Sequence, residues 1–404
     1  MVDDTLSISN CGQKTIAKNA VINSFIETQR LTLSADKSSV VHIGKSNKCK
    51  QMCPKIKVHS NEMKQTTSSK YLGNFITQEG GHKMTIEDRR NKGWGKVAQV
   101  MAILQEVPFG SHRVEAGLLL RQSILVNSLL FSAETWSGVS DRDLARMQVV
   151  DTALVRSICG GHSKTPVEFH FLESGSLMLK HILRINRMMY HHNILIRDDD
   201  ETVKKIYMKQ KEVRTKGDWF ELLKKDFEYI GVEMDEERIK NLTKQEYKQE
   251  INTKVKSAAF QELKKMQEKH KKLDQVVFSD FIIQPYLKSK LFSKDEIKLL
   301  YLLRSKCHSS KQNFRKLYKN DTRCTFQCPD VEDQTHVFTQ CYPIISQTTE
   351  TNKLLKYDDI FGDLLQQKNI IKSFLVIDTK RQEIKEKLLP GGENARTRGD
   401  YDLQ

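Results

Sequence analysis

The stretch Ser140-Asp141-Arg142-Asp143-Leu144-Ala145-Arg146-Met147-Gln148-Val149-Val150-Asp151-Thr152-Ala153-Leu154-Val155-Arg156-Ser157-Ile158-Cys159-Gly160-Gly161 reads as one amphipathic helix. Ser140 with Asp143 fits a capping-box start. Leu144, Met147, Val150, Leu154 and Ile158 form one apolar stripe at helical spacing, and Gly160-Gly161 ends it. Such a stripe is a core face before it is a cofactor site. The same grammar extends outward. Thr85 to Leu104 is a helix stopped by Val107-Pro108-Phe109-Gly110. Val114 to Phe131 is apolar on most faces, which suits a central helix of a bundle. Met178, Ile182, Ile185 and Met189 give the next stripe. Asp198-Asp199-Asp200 separates a first bundle over 81–198 from a second helical stretch over 199–320. Within that second stretch, Ile251 to Leu273 is long, polar and Lys-rich, and is expected to be exposed. The fold class is therefore mainly α, and no repeat of solenoid period is present.

Composition narrows the function classes. The 404 residues carry 66 Lys and Arg against 51 Asp and Glu, a net charge of +15, which favours a polyanionic partner. With 19 Gly and 7 Pro the chain is neither collagen-like nor a Pro/Gly-rich disordered polymer. Residues 1–10 lack an apolar signal core. The most apolar stretch, Glu115 to Trp136, is broken by Arg121, Gln122 and Asn127 and makes a poor membrane span. Eight scattered cysteines do not form a secreted disulfide framework. A soluble intracellular protein, nuclear or cytoplasmic, is expected, with no membrane partner. The charge is uneven: residues 201–320 alone hold a net +11. The bland reading of that block is a solvated helix face supported by pairs such as Glu221 with Lys225 and Glu250 with Lys254.

The two ends differ from the middle. Residues 1–80 form a small α/β region: an amphipathic segment over Ile16 to Phe25, then strand-like Leu31-Thr32-Leu33, Val40-Val41-His42-Ile43 and Lys70-Tyr71-Leu72-Gly73-Asn74-Phe75-Ile76. Near the other end, Cys324, Cys328, His336 and Cys341 give the spacing C-x3-C-x7-H-x4-C. Three thiolates and one imidazole are a tetrahedral Zn2+ set, and closed four-ligand sites are structural. A unit as small as 321–345 has almost no core, so the metal is expected to supply its folding free energy. Phe338 stands near the ligands as a stacking platform or as packing for the metal loop. Cys11, Cys49, Cys53 and Cys159 are read as free thiols, and Cys307 stays unassigned. His181, His191 and His192 sit among basic residues and are expected to be solvated. Residues 346–404 follow, ending in a polar tail from Pro390-Gly391-Gly392 that composition makes disordered.

The ordered set of motifs resembles a known family. Met1-Val2-Asp3-Asp4, a helix over 13–30, Leu31-Thr32-Leu33-Ser34-Ala35-Asp36-Lys37, Tyr71-Leu72-Gly73, and then Ile86-Glu87-Asp88-Arg89-Arg90-Asn91-Lys92-Gly93 are similar to the end of the palm and the start of the thumb of LINE-type (non-LTR) retrotransposon reverse transcriptases. Ser128 to Trp136, Ser163-Lys164-Thr165-Pro166 and the cysteine cluster also resemble segments of that family in their order. The likeness covers roughly residues 1–345. It implies an RNA-directed DNA polymerase fragment, with an RNA template and a DNA primer or target as partners. It implies that Asp3 and Asp4 match the Mg2+-binding carboxylates and Lys37 a lysine near the leaving pyrophosphate. It gives Tyr71 and Gly73, with Arg89, Arg90 and Lys92, to nucleic-acid contact, and Cys324, Cys328, His336 and Cys341 to the zinc knuckle.

The sequence also departs from that family. It starts at the Asp-Asp turn, so the fingers, the first half of the palm and the other metal-binding aspartate have no counterpart. Phosphoryl transfer by two metals needs all of those carboxylates, so Asp3, Asp4 and Lys37 are expected to be vestigial and this chain inactive as a polymerase. Asp378-Thr379-Lys380 echoes a nuclease strand without a well-spaced partner at Asp358 or Asp359. The alternative is a non-catalytic nucleic-acid-binding protein, or a helical scaffold, derived from a decayed element.

Overall fold

The structure, a computed structural model, describes residues 5–388 apart from 11, 32–33, 35–36, 45–54, 59–60, 108–111, 315, 317–318 and 352; at 58, 61, 272 and 388 it describes the backbone alone. The expected mainly helical fold is what it contains, with a small strand region before the helices. Helix α1, Gly12–Thr28, leads into β1 (Ser39–Val41), β2 (Lys57–Val58), β3 (Asn61–Glu62), β4 (Lys64–Thr66), β5 (Ser68–Tyr71) and β6 (Asn74–Thr77). These strands make three separate pairs: β1 parallel to β4, β2 antiparallel to β3, and β5 antiparallel to β6. The run from Lys70 to Ile76, read above as one strand, is a hairpin. Leu72 (φ 45°) and Gly73 (φ 80°) are both left-handed, the backbone a tight two-residue turn requires. The hairpin is pinned to the helices, because the Phe75 backbone amide donates to Thr85 Oγ1 (2.8 Å) and the Asn74 side-chain Nδ2 to Ser132 Oγ (2.9 Å).

Helix α2, Lys83–Gln105, buries Ile86, Arg89, Gly93, Val97, Val100 and Leu104, a row at spacings of three and four. Gly93 lets it close on α3: an added Cβ would sit 3.1 Å from Leu129. Helix α3 starts as Arg113–Leu120, passes through a π turn at Arg121–Val126 and ends as Asn127–Leu129. Helix α4, Asp141–Cys159, has the expected capping box of Ser140 and Asp143 and stops at left-handed Gly160 (φ 75°). Asp151 of α4 takes Arg121 in two hydrogen bonds of 2.6 and 2.7 Å, and Gln148 ties the same carboxylate to the helix that starts at Leu179, through the Leu179 amide. Then come α5 (Val167–Ser174), α6 (Leu179–Leu195), α7 (Thr202–Val213), α8 (Trp219–Ile230), α9 (Glu236–Asn241), α10 (Lys244–Gln267), α11 (Pro285–Lys288), α12 (Lys294–Arg304), α13 (Tyr342–Ile345) and α14 (Leu364–Leu388).

Two hydrophobic cores result, and α6 and α10 run through both. Leu179 and Leu183 of α6 and Leu263 of α10 join the first core, with α2 to α5, α12 and residues from 324 to 377. Ile185, Met188, Ile194 and Leu195 join the second, with α7 to α9 and Tyr247, Ile251 and Val255 of α10. The expectation that Ile251 to Leu273 is exposed is therefore corrected. Tyr247, Ile251, Val255, Ala259, Leu263 and Gln267 recur every fourth residue and are all buried. A four-residue step overshoots a 3.6-residue turn by about 40°. The buried row thus winds round α10 and faces one core, then the other.

The three α6 histidines are also buried rather than solvated. His181 Nε2 lies 3.0 Å from Glu262, His192 Nε2 lies 2.9 Å from the Leu242 carbonyl, and His191 Nε2 lies 3.0 Å from the Tyr207 hydroxyl. Tyr207 donates its proton to Glu236 at 2.6 Å, so the His191 ring supplies the hydrogen in its own contact. The basic neighbours that suggested a wet face are themselves paired: Lys180 with Glu262, and Arg184 and Arg187 with Asp226.

Burial pushes the His191 imidazole down to about 4, against the opposing pull of Glu236. The unfolded chain takes up a proton near 6.5 and the folded chain does not, so this stability is complete above 6.5 and is lost as pH falls toward 4. Its full size is on the order of 3 kcal/mol. Urea midpoints are expected to drop across that window. His191→Gln should flatten the dependence, leaving the share of His170, which burial lowers to about 3. A variant with the parent's full pH slope would contradict the assignment.

Candidate metal centre

Residues 323–341 build the site from short-range geometry. Arg323 bridges Val331 across a tight loop, closed by the Cys324 amide on the Asp330 carbonyl (3.1 Å) and the Gln327 amide on the Cys324 carbonyl (3.2 Å). Gln327 takes the left-handed turn (φ 64°), which returns Cys328 beside Cys324. The Phe326 amide points at Cys324 Sγ (3.4 Å). Asp333 accepts from the His336 amide (2.7 Å) and starts a π turn over His336–Gln340. The Cys341 amide then donates to the His336 carbonyl (2.7 Å), setting the last ligand beside the imidazole.

The ligand atoms of Cys324, Cys328, His336 and Cys341 lie within 4.8 Å of one another. Cys341 Sγ is 3.8 Å from both Cys324 Sγ and Cys328 Sγ. A tetrahedral ion with Zn–S bonds of about 2.3 Å spaces its sulfurs about 3.8 Å apart, whereas a disulfide would need about 2 Å. His336 is buried, and neither ring nitrogen has a hydrogen-bond partner. Asp330 Oδ2 is the nearest carboxylate, 3.7 Å from Nδ1. Buried polar atoms without partners are rare, and a cation among three sulfurs would satisfy this one. Burial, with the neighbouring thiols, pushes the Cys341 thiol up, and burial also raises Cys328. These two thiols therefore keep their protons until a cation replaces them. The residues fit a metal ion as a closed four-ligand site. Among the described residues it is the one group of three or more His, Cys, Asp or Glu so arranged.

The site is not a free-standing knuckle, as its length suggested. Val337, Phe338, Cys341 and Ile344 are part of the first core. Phe338 is fully buried, 4.7 Å from Phe374 and 4.9 Å from His308 between ring centres, so it offers no stacking face. Glu332 and Arg381, both without exposure, pair at 2.8 Å, and Arg381 also bonds the Ser309 carbonyl (2.9 Å). Gln334 reaches the Leu303 carbonyl (3.0 Å) and Tyr357. Sequence reasoning missed these supports. Glu332 and Arg381 are 49 residues apart and share no local pattern. Asp378-Thr379-Lys380 is a turn of α14 rather than a nuclease strand, with Asp378 3.0 Å from His308 Nε2.

The other candidate residues are dispersed. Asp3 and Asp4 lie outside the described residues, as do Cys11, Cys49, Cys53 and the tail beyond Leu388. Lys37 is exposed in the turn before β1. Tyr71 and Gly73 stand at the β5–β6 turn. Arg89 points inward: its guanidinium bonds Asn74 (2.8 Å) and the Leu129 carbonyl (3.2 Å) and covers the Trp136 ring at 4.7 Å. Arg90 pairs with Glu87 at 3.4 Å, and Lys92 with Asp88 at 2.8 Å. In the basic block, Glu221 does pair with Lys225 (2.7 Å), but Glu250 takes Arg238 (2.7 Å) instead of Lys254. Lys244, Lys248, Lys254, Lys256, Lys265 and Lys269 of α10 and its end are exposed, with no ion pair among the described residues. No described helix is long and apolar enough to cross a membrane.

No family model, curated protein or solved structure matches this chain. Cys341→Ser is expected to lower metal content from one equivalent and to loosen the C-terminal part of the first core. Chelation should have the same effect on the parent. Atomic absorption with thermal melting tests this: full metal content in the variant, or a melt indifferent to chelator, would contradict the site. Glu332→Gln removes the closer of the two carboxylates that face buried Arg381, leaving Asp378 at 3.7 Å, with an expected loss of about 3 kcal/mol in urea unfolding.

Proposed function

We propose that this chain binds nucleic acid through a lysine-bearing helical surface, and that Zn2+ occupies the Cys324–Cys328–His336–Cys341 centre as a structural ion. The observations that carry the reading are the closed Cys3His geometry and, on α10, outward lysines that lack partners among the described residues. A set of three soft thiolates and one imidazole selects Zn2+ over hard cations. Lysine ammoniums without intramolecular carboxylates are free to displace counterions from a phosphate backbone. The motif order likened above to non-LTR reverse transcriptases adds the kind of partner: an RNA template with a DNA primer or target. In that reading Asp3 and Asp4 match Mg2+-binding carboxylates, and this chain contributes binding without incorporation. The blander reading, a helical scaffold, shares the fold but predicts no affinity for polyanions.

Fluorescence anisotropy of labelled RNA and DNA across a salt series separates the two. Binding is expected at low salt, with log K falling linearly against log salt. Replacing Lys254 and Lys256 by Gln should reduce the slope by about 0.7–0.9 for each lysine in contact. Absence of affinity at low salt removes the proposal. Primer extension by the purified chain is expected to yield no product, and extension lost on Asp3→Ala would overturn that expectation.

A further inference from the structure

A second feature lies away from the metal centre. The π turn of α3 closes the Asn127 amide onto the Gln122 carbonyl, which stacks these two side chains on one side of the helix. The extra residue goes with a buried demand, since Arg121 at the start of the turn must reach Asp151 and the Leu177 carbonyl (2.8 Å). π turns recur at functional positions. Opposite stands Asn186, one turn beyond Ile182 on α6. Together Gln122, Asn127, Asn186, Val126, Leu130 and Phe131 line an open groove of about 220 Å³ with Ile182. Gln122 and Asn186 make no side-chain hydrogen bond among the described residues, and Asn127 makes a long one (3.4 Å) to Ser123. Phe131 is 58% exposed at the rim. It is held there from behind: Ser132 after it is left-handed (φ 50°) and bonded to Asn74, and Arg89 lies 6.0 Å from its ring. The hairpin turn lies against it, since a Cβ added at Gly73 would meet the Phe131 ring at an ordinary contact distance of 3.8 Å.

We propose that this groove captures one unstacked base of a single-stranded nucleic acid, with Phe131 as the stacking face and Gln122, Asn127 and Asn186 as contacts to the base edge. The inference rests on the nucleic-acid reading above and names the part of the ligand this site takes. Carboxamides donate and accept side by side, which matches the edge pattern of a nucleobase. An exposed aromatic ring supplies the sequence-tolerant term of single-strand binding. The groove is smaller than the roughly 300–1,000 Å³ of sites for free small molecules, so it suits one base of a strand held elsewhere by its phosphates. Positive charge stands at the same hairpin: Lys70 and Lys92 share the single carboxylate of Asp88, at 2.9 and 2.8 Å.

The test compares a labelled single strand, its fully paired duplex and an abasic strand of equal length, by anisotropy with the full chain. The single strand is expected to bind more tightly than the abasic strand. Phe131→Ala should weaken it about tenfold while leaving duplex affinity and the salt slope unchanged. Phe131→Trp should retain affinity, and its fluorescence should be quenched on binding. Should Phe131→Ala fail to fold by circular dichroism, Asn186→Ala and the tryptophan variant decide. Equal affinity for the abasic strand, or a tryptophan unquenched at saturation, overturns the groove and leaves the lysine surface standing. No affinity for any of the three probes removes both readings.

Discussion

Three thiols and an imidazole have been drawn together inside an apolar core, and that constraint organises the C-terminal third of the chain. Sulfurs 3.8 Å apart and a buried imidazole without partners form an arrangement that protons tolerate and a divalent cation stabilises. The loop that carries it cannot drift, because Glu332 is fixed by the fully buried Arg381 of α14. A buried ion pair is weak as a source of net stability but costly to break singly. Its physical consequence here is registry: α14, the metal loop and the end of α12 have one way to fit.

That registry reaches the basic surface through α10. The second half of this helix packs into the first core at Leu263, and Gln267 anchors its end by donating to the Leu273 and Val276 carbonyls (3.0 and 2.7 Å). The first half packs with α7 to α9 through Tyr247, Ile251 and Val255. A helix held on both cores cannot rotate about its axis without breaking one of them. The lysines it turns outward therefore form a surface of fixed geometry, set by packing on the opposite side.

The helical class was legible because stripes such as Leu144 to Ile158 repeat at 3.6 residues and carry their own caps. The four ligands were legible because their spacing is local. Three things were not. The winding row on α10 spreads its apolar positions among lysines, so a single-face reading sees a polar helix. The histidines of α6 have partners far away, at Tyr207, Leu242 and Glu262, and no short window contains those pairs. The hairpin at Leu72-Gly73 was hidden by a β-prone run in which a non-glycine residue takes positive φ. In the third region, α14 was missed because its apolar residues face a core assembled from other segments of the chain: Phe374 meets Phe338 and Tyr357, and Ile371 and Ile377 belong to the first core.

Five buried arginines and the lysines of α10 are used differently, and this bears on what that helix can recognise. Arg89, Arg121, Arg187, Arg304 and Arg381 are all buried, bonded to carboxylates, an amide or backbone carbonyls inside the protein. The planar fork of arginine, the group suited to bidentate reading of a base edge or a phosphate, is thus committed to the fold at those positions. The helix that faces solvent on both cores shows lysines, which act as mobile point charges. A surface of that kind senses the density of phosphates rather than the identity of bases. In the nucleic-acid reading proposed above, discrimination between paired and unpaired strands falls to the aromatic face and amides of the proposed groove, too small for a base pair and open enough for one base.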